Sequence, residues 1–357
     1  MNREELQRRA KAIENSGLKR VLVPLDFTGP TTARIDTREV QVFSSNDYLG
    51  LAWNPDVRNA WRGGGCGSSR LVTGSRSAHK TLESNLEDLF GQPALVFSSG
   101  YQANLAVLTT LFQAGDTVCS DELNHASLID GLRLSKSTKT IQPHGSDPPK
   151  ENDFRGLVTE GLFSMDGDTL SLRAWSDAGW LVVDEAHAVG AIGPGGKGVA
   201  AEQGVHPQVL IGTFGKAYGS AGAFVIGPEE LKELMISTAR SFVYTTALAE
   251  PAVHAAIEGL KQATSERRER LADRTLRFRC GLADLGLPTR GQHHIVPVLT
   301  RERTMQTAQR LAEHGVFVPG IRAPTVPSGE ERLRFSMSAE HTDDQIDQAL
   351  ELLDQCT

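Results

Sequence analysis

Between residues 94 and 226 the chain repeats one pattern: a short apolar run, a cluster of glycine and small polar residues, then a stretch of helical spacing. Runs of strand length fall at 94–97, 117–120, 156–159, 180–184, 209–213 and 223–226. Helical spacing covers 78–90, 102–111 and 127–134. A strand that is apolar along its whole length has no face for water, so both faces must be covered. The pattern predicts an α/β chain with a mostly parallel central sheet under helices. Outside this block, residues 1–20 read as an amphipathic helix ending near Ser16 and Gly17, 41–45 as a short strand, and the glycine-rich 63–74 as a loop. After about residue 240 the character changes. Residues 252–285 read as one long charged helical region. Strands at 294–299, 317–318 and 332–337, helices at 305–314 and 343–353, and a Pro-rich loop at 320–329 complete a small α+β unit. The expected division is an N-terminal helix and arm (1–40), a large domain (41–245), and a long helix with a small C-terminal domain (246–357).

Charge and cysteine usage narrow the function. With 37 basic and 44 acidic side chains the net charge is −7, against the basic face that nucleic acid or an anionic membrane surface requires. Cys66, Cys119, Cys280 and Cys356 are widely spaced and form no CxxC pair, which argues against a zinc site or a disulfide framework. No apolar run approaches the ~20 residues of a membrane span, and the charged N-terminus has no signal-type apolar core. A cytoplasmic protein is expected.

In a parallel sheet, ligands gather where loops follow the carboxyl ends of strands. After 94–97 comes Ser98-Ser99-Gly100-Tyr101, small residues opening a helix; this suits an anion such as phosphate, although an ordinary strand-to-helix turn has the same look. After 180–183 comes Asp184-Glu185-Ala186-His187. A carboxylate closing a buried strand needs a cap to satisfy or a cation to meet. Asp184 and His187 could join a metal, but no third ligand stands out, and no metal is expected. After 209–213 comes Phe214-Gly215-Lys216. Burial lowers a lysine pKa, and a neutral amine is what a Schiff-base nucleophile needs; a surface turn lysine is the plainer alternative. A phosphate turn, a carboxylate for a ring nitrogen and a buried lysine, in this order, together point to pyridoxal phosphate.

Eight segments carry a family resemblance: SSNDYLGLA (44–52), RLVTGSRSAHKTLE (70–83), SSGYQAN (98–104), NHASLIDG (124–131), TEGLFSMDGD (159–168), VVDEAHAVGAIG (182–193), TFGKAYGSAG (213–222) and IRAPTVPSGEERLRFSMSAEH (321–341). The chain resembles the α-oxoamine synthases, pyridoxal 5'-phosphate enzymes that condense an amino acid with an acyl thioester and lose CO2. The resemblance implies a fold-type I transferase and a homodimer with its site at the subunit interface. It implies Lys216 as the cofactor's lysine, Asp184 as partner of the pyridine nitrogen, and His187 with Ser164 near the phenolic oxygen. It places His125 over the ring and Ser99, Gly100, Tyr101 and Thr213 on the phosphate. Thr245 or Thr246 would reach the phosphate of a neighbouring subunit. Arg334, with Arg332 two positions away on the same face, resembles the arginine that grips the amino-acid carboxylate. Asn46 and Glu160 fall in matched segments and are expected to line the site; Arg20 is a candidate for the far end of the acyl chain. Alanine with a pimeloyl thioester, carried by coenzyme A or acyl carrier protein, is the expected substrate pair. Members using glycine or serine, or another acyl-CoA, are the alternative, and a non-catalytic relative is a third. Against the family pattern the chain is shortened at 61–67, 144–156 and 170–180.

Overall fold

The computed structural model describes residues 2–16, 18–149, 153–176 and 179–357. Its centre is a seven-stranded sheet of β1 (Ala94–Phe97), β2 (Thr117–Asp121), β3 (Thr138–Gln142), β4 (Gly156–Glu160), β5 (Trp180–Asp184), β6 (Val209–Thr213) and β7 (Ala223–Ile226). The order across the sheet is β1-β7-β6-β5-β4-β2-β3. Only β7 pairs antiparallel with its neighbours, so the other six strands point one way and present their carboxyl ends on one side.

Why the strands are apolar throughout is visible in the period-two split of their side chains. Leu95, Phe97, Val209, Ile211, Ala223 and Val225 enter one core, beneath the helices Gly100–Leu111, Ala126–Ser135 and Glu229–Thr238. Their alternates Ala94, Val96, Leu210, Phe224 and Ile226 enter the opposite core, with Leu82 and Leu86 of Ser77–Phe90 and Val253 of Glu250–Gln262. Burying one such Leu, Phe or Val contributes about 1.5–3 kcal/mol, and both faces collect it. A third core joins Leu157, Leu181 and Val183 to Phe278, Phe335 and Leu353 of the C-terminal part.

Several expectations are corrected. The long charged region is two helices, Glu250–Gln262 and Ser265–Asp284, interrupted at Ala263 and Thr264. The first buries Ala252, Val253 and Ala256 against the large sheet, and the second turns Leu271, Phe278 and Leu282 into the C-terminal core. One straight helix could not face both. The first helix spans only Arg3–Asn15; Ser16 caps it, and Gly17 lies outside the described residues. The strand expected at 41–45 is Arg38–Val42. It pairs with Thr32–Ile35 and, in parallel, with Val316–Phe317, so the N-terminal arm is stitched to the C-terminal part. Within the expected loops, Arg70–Gly74 forms one π-helical turn and Gly320–Ile321 pairs with Arg332–Ser336. Strand β3 was not expected; its exposed face gives it little apolar signal.

Two of the connections expected to be short carry no helix: among the described residues, neither 143–155 nor 161–179 contains one. His144 instead ties this edge together, Nδ1 at 3.1 Å from Asp121 and Nε2 at 3.1 Å from Asp168.

Candidate active site

The carboxyl ends of five strands, β6, β5, β4 and β2 side by side and β1 beyond the antiparallel β7, close around a cleft of about 230 Å³. Gly100, Tyr101 and Asn104 follow β1, His125 and Ser127 follow β2, Glu160 ends β4, Asp184 ends β5 with His187 just beyond, and β6 supplies Thr213 and Lys216. Eight of the expected residues therefore meet in one place, drawn from segments more than a hundred positions apart.

Gly100 opens a twelve-residue helix whose N-cap is Ser99, the Ser99 hydroxyl accepting from the Gln102 amide. A Cβ at Gly100 would meet nothing within 4 Å, so the helix N-terminus opens onto free space with its first amides unspent. Tyr101 lines the same space, but its hydroxyl is bonded to Asp130. Thr213 donates to the Gly222 carbonyl at 2.8 Å and receives the Gly215 amide, a pair of bonds that shapes the loop carrying Lys216. That loop closes at Gly219, where φ is +64° and a Cβ would lie 2.4 Å from the Ala52 nitrogen. Only glycine fits there.

Asp184 is held by two donors. Its Oδ1 accepts the Ala186 amide at 2.9 Å, and its Oδ2 accepts Asn104 Nδ2 at 2.7 Å. The same Asn104 nitrogen donates to Ser127 Oγ at 2.7 Å, and Ser127 in turn reaches His125 Nδ1 at 2.7 Å. His125 caps the helix Ala126–Ser135, its Nδ1 accepting the Ser127 amide, while its own amide donates to Glu160 at 2.6 Å. His125 thus caps that helix and lines the cleft at once. Asn104 and Ser127 went unassigned in the sequence although both sit in matched segments; a buried Asn four residues into a helix was their only signal.

The electrostatics follow from burial. The Glu160 carboxyl is raised well above the usual range by burial and then by Asp184 on the adjacent strand. Burial lowers Lys216 to about 8, against the pull of Asp184 and Glu160. None of the ion pairs among the described residues engages its amine, which faces the cleft. His187 is pushed well below its ordinary value by burial and by the Lys216 and Arg334 cations, so the ring is neutral.

His187 bonds through Nδ1 to the Tyr48 hydroxyl at 2.6 Å, not to Ser164. Ser164 lines a second cleft of about 470 Å³, and its carbonyl accepts from Arg334. Arg334 also donates to Ser336 Oγ at 2.9 Å and points both terminal nitrogens at Asn46 Oδ1. No acidic side chain pairs with it among the described residues, whereas Arg332 is occupied by Asp166. Thr245 accepts from Gln102, Thr246 is exposed with its carbonyl bonded to Ser98, and Arg20 is exposed on the coil before Asp26. These three lie outside the cleft of their own chain.

A pyridoxal-type group fits this set. Open helix amides would suit a phosphate, a twice-anchored carboxylate would suit a protonated ring nitrogen, and an amine of lowered pKa would suit a carbonyl carbon.

The model of the aminotransferase class I and II family matches residues 38–353. The chain is 41% identical to an 8-amino-7-oxononanoate synthase of Pseudomonas entomophila, over 90% of this chain and 89% of that one. It is 42% identical to one of Halorhodospira halophila, over 92% and 88%. Among solved structures it is similar to the serine palmitoyltransferase of Sphingomonas wittichii, with a TM-score of 0.90, 30% identity and coverage of 99% and 96%. It is also similar to the 8-amino-7-oxononanoate synthase of Francisella tularensis, with a TM-score of 0.77, 28% identity and coverage of 88% and 97%. With its cleft at the carboxyl ends of a fold-type I sheet, the chain belongs to the aminotransferase class I and II family, among its α-oxoamine synthases.

Proposed function

We propose that the chain condenses L-alanine with a pimeloyl thioester, releasing CO2 and the free thiol, to form 8-amino-7-oxononanoate for biotin synthesis. The observation that carries this is the convergence of Lys216, Asp184, His125 and His187 on one cleft, in a chain about 41% identical to synthases of that name. Pyridoxal 5'-phosphate, when bound, supplies a ring that takes up the electron pair left at the amino-acid α-carbon. Asp184, fixed by Ala186 and Asn104, keeps that ring's nitrogen protonated. The Ser99 hydroxyl and the Gly100 and Tyr101 amides would hold the phosphate at the open helix terminus, with Thr213, its proton given to Gly222, shaping the loop beside it. Lys216 Nζ, neutral in an appreciable fraction near pH 7, removes the α-proton and later returns one. His125 covers the ring face, with Glu160 fixing its backbone. Arg334 and Asn46 receive the amino-acid carboxylate, since Arg334 has no acidic partner among the described residues whereas Arg332 is paired with Asp166. The second cleft, with Leu123, Phe163, Met165, Val326 and Pro327, is assigned to the acyl chain.

Arg20, Thr245 and Thr246 are assigned to the site of a partner copy in a homodimer. The apolar surface around them supports this: Leu22 is 96% exposed, and Val21, Val72 and Tyr244 are each about three-quarters exposed. The large domain at 41–245 and the C-terminal part at 246–357 are the two walls of the site, and a cytoplasmic setting suits four free cysteines.

The test uses the cofactor-loaded chain with carboxyl-labelled alanine and pimeloyl thioesters of coenzyme A or acyl carrier protein. Labelled CO2, free thiol and the amino ketone are expected in equal amounts. A preference for glycine with acetyl-CoA, or serine with palmitoyl-CoA, would move the chain to another member of the family. Sedimentation showing only monomer at working concentration would remove the partner assignments.

A further inference from the structure

Tyr48 is fully buried and belongs to no strand or helix, yet its hydroxyl is the meeting point of two parts of the site. It lies 3.0 Å from Asn46 Oδ1 and 2.6 Å from His187 Nδ1, with the Arg334 guanidinium beside it. The direction of each bond can be worked out. Arg334 has only donors, and both its terminal nitrogens converge on the same Asn46 atom at 3.5 Å, so that atom is the amide oxygen. An amide oxygen cannot donate, so the bond between it and Tyr48 uses the single phenolic proton. The 2.6 Å contact must then be donated by His187 from Nδ1–H to the Tyr48 oxygen. A neutral imidazole has one proton, so Nε2, for which the described residues provide no hydrogen-bond partner, carries a lone pair into the cleft.

We propose that Tyr48 is a positioning residue that fixes the tautomer of His187, and that Asn46 sets this tautomer through Tyr48 without touching His187. The chain of bonds runs from Arg334 to Asn46 to Tyr48 to His187, linking the end assigned to the amino-acid carboxylate with the group assigned to the cofactor's phenolic oxygen. That significance rests on the function proposed above; the tautomer itself does not. His294 holds the geometry from behind. Its ring centre is 4.0 Å from that of Tyr48. His187 would consequently offer Nε2 as an acceptor to a group bound in the cleft, and a change at Asn46 would convert it into a donor: with the acceptor at Asn46 gone, the Tyr48 proton turns to His187 Nδ1 and the ring proton moves to Nε2.

The experiment is nitrogen NMR of the cofactor-free, full-length chain with ¹⁵N-labelled histidine, the His187 signals being those lost in His187→Asn. The wild type is expected to carry the ring proton on Nδ1. Asn46→Ala and Tyr48→Phe are both expected to move it predominantly to Nε2, while the signals of the buried His294 and His341 report that the fold is kept. A wild-type ring protonated on Nε2 overturns the proposal even if neither variant folds. So does a proton that stays on Nδ1 in a folded Asn46→Ala chain. Neither outcome depends on condensation activity, so failure here and failure of the proposed reaction are separable.

Discussion

The most direct consequence of burying Lys216 is the pH at which its amine can react. An ordinary lysine near 10.5 has about one amine in three thousand neutral at pH 7; at about 8 the fraction is about one in ten, a gain of about 300-fold. Capture of pyridoxal phosphate by Lys216 requires the neutral amine. The capture rate should therefore rise about tenfold per pH unit below 7.5 and flatten above about 8. Asp184→Asn removes a neighbouring anion that raises the lysine, so its midpoint should fall by about one unit. The assay mixes cofactor-free chain with pyridoxal phosphate at each pH, quenches with borohydride, and measures cofactor fixed to the Lys216 peptide. A rate still climbing tenfold between pH 9 and 10 would show a solvated lysine and refute the argument from burial. An Asp184→Asn midpoint shifted upward would refute the assignment of sign to the carboxylate.

Further outcomes follow from the same geometry. In the cofactor-free chain Lys216→Met should raise Tm at pH 7 by about 2 °C. The lysine's pKa is depressed on folding, so between about 8 and 10.5 the unfolded chain binds more protons; wild-type stability rises across that window and the advantage of the variant fades. For His144, burial opposes the charge but Asp121 and Asp168 outweigh it, raising the ring to about 10. His144→Gln should cost about 2–3 kcal/mol in urea unfolding, in full below pH 6.5 and progressively less up to pH 10; a cost independent of pH would refute the ion-pair account. Arg334→Lys should lower kcat/KM for the amino acid about 10- to 100-fold with Tm unchanged, because a point charge replaces a planar fork. Arg332→Lys should instead lower Tm, since Asp166 loses its buried partner.

What the sequence disclosed of the fold depended on how the signal was written. Strands β1, β6 and β7 bury both faces, so a run of three or four apolar residues marks each. Strand β3 lies at the sheet edge with Lys139 and Ile141 exposed, and TKTIQ carries no comparable mark. The strands Thr32–Ile35 and Arg38–Val42 are polar on the outer face for the same reason, and what holds them, pairing with Val316–Phe317, lies almost three hundred residues away. The break at Ala263 is marked only by Thr264 and Ser265, residues that favour a helix start but are also tolerated within one, and it aims two apolar stripes at two cores.

The site divides along a similar line. Residues that end apolar strands, Asp184, Glu160 and Lys216, stand out because a charge there contradicts its surroundings. Their supports do not stand out. Asn104, Ser127 and Tyr48 are ordinary residues until the fold sets Asn104 Nδ2 at 2.7 Å from Asp184, 80 positions on, and Tyr48 at 2.6 Å from His187, 139 positions on. Each is buried and each bonds a group that lines the cleft, so replacing one leaves a buried polar partner unpaired at about 1–3 kcal/mol, and that partner is itself a cleft residue. Loss of such a support is therefore felt where the chemistry sits: Asn104→Leu releases Asp184 Oδ2 and Ser127 together, and so should loosen both the group assigned to the ring nitrogen and the imidazole assigned to the ring face. The cleft is accordingly held by two buried relays, Asp184–Asn104–Ser127–His125 on one side and Arg334–Asn46–Tyr48–His187 on the other, each joining a charged residue to a histidine through neutral side chains.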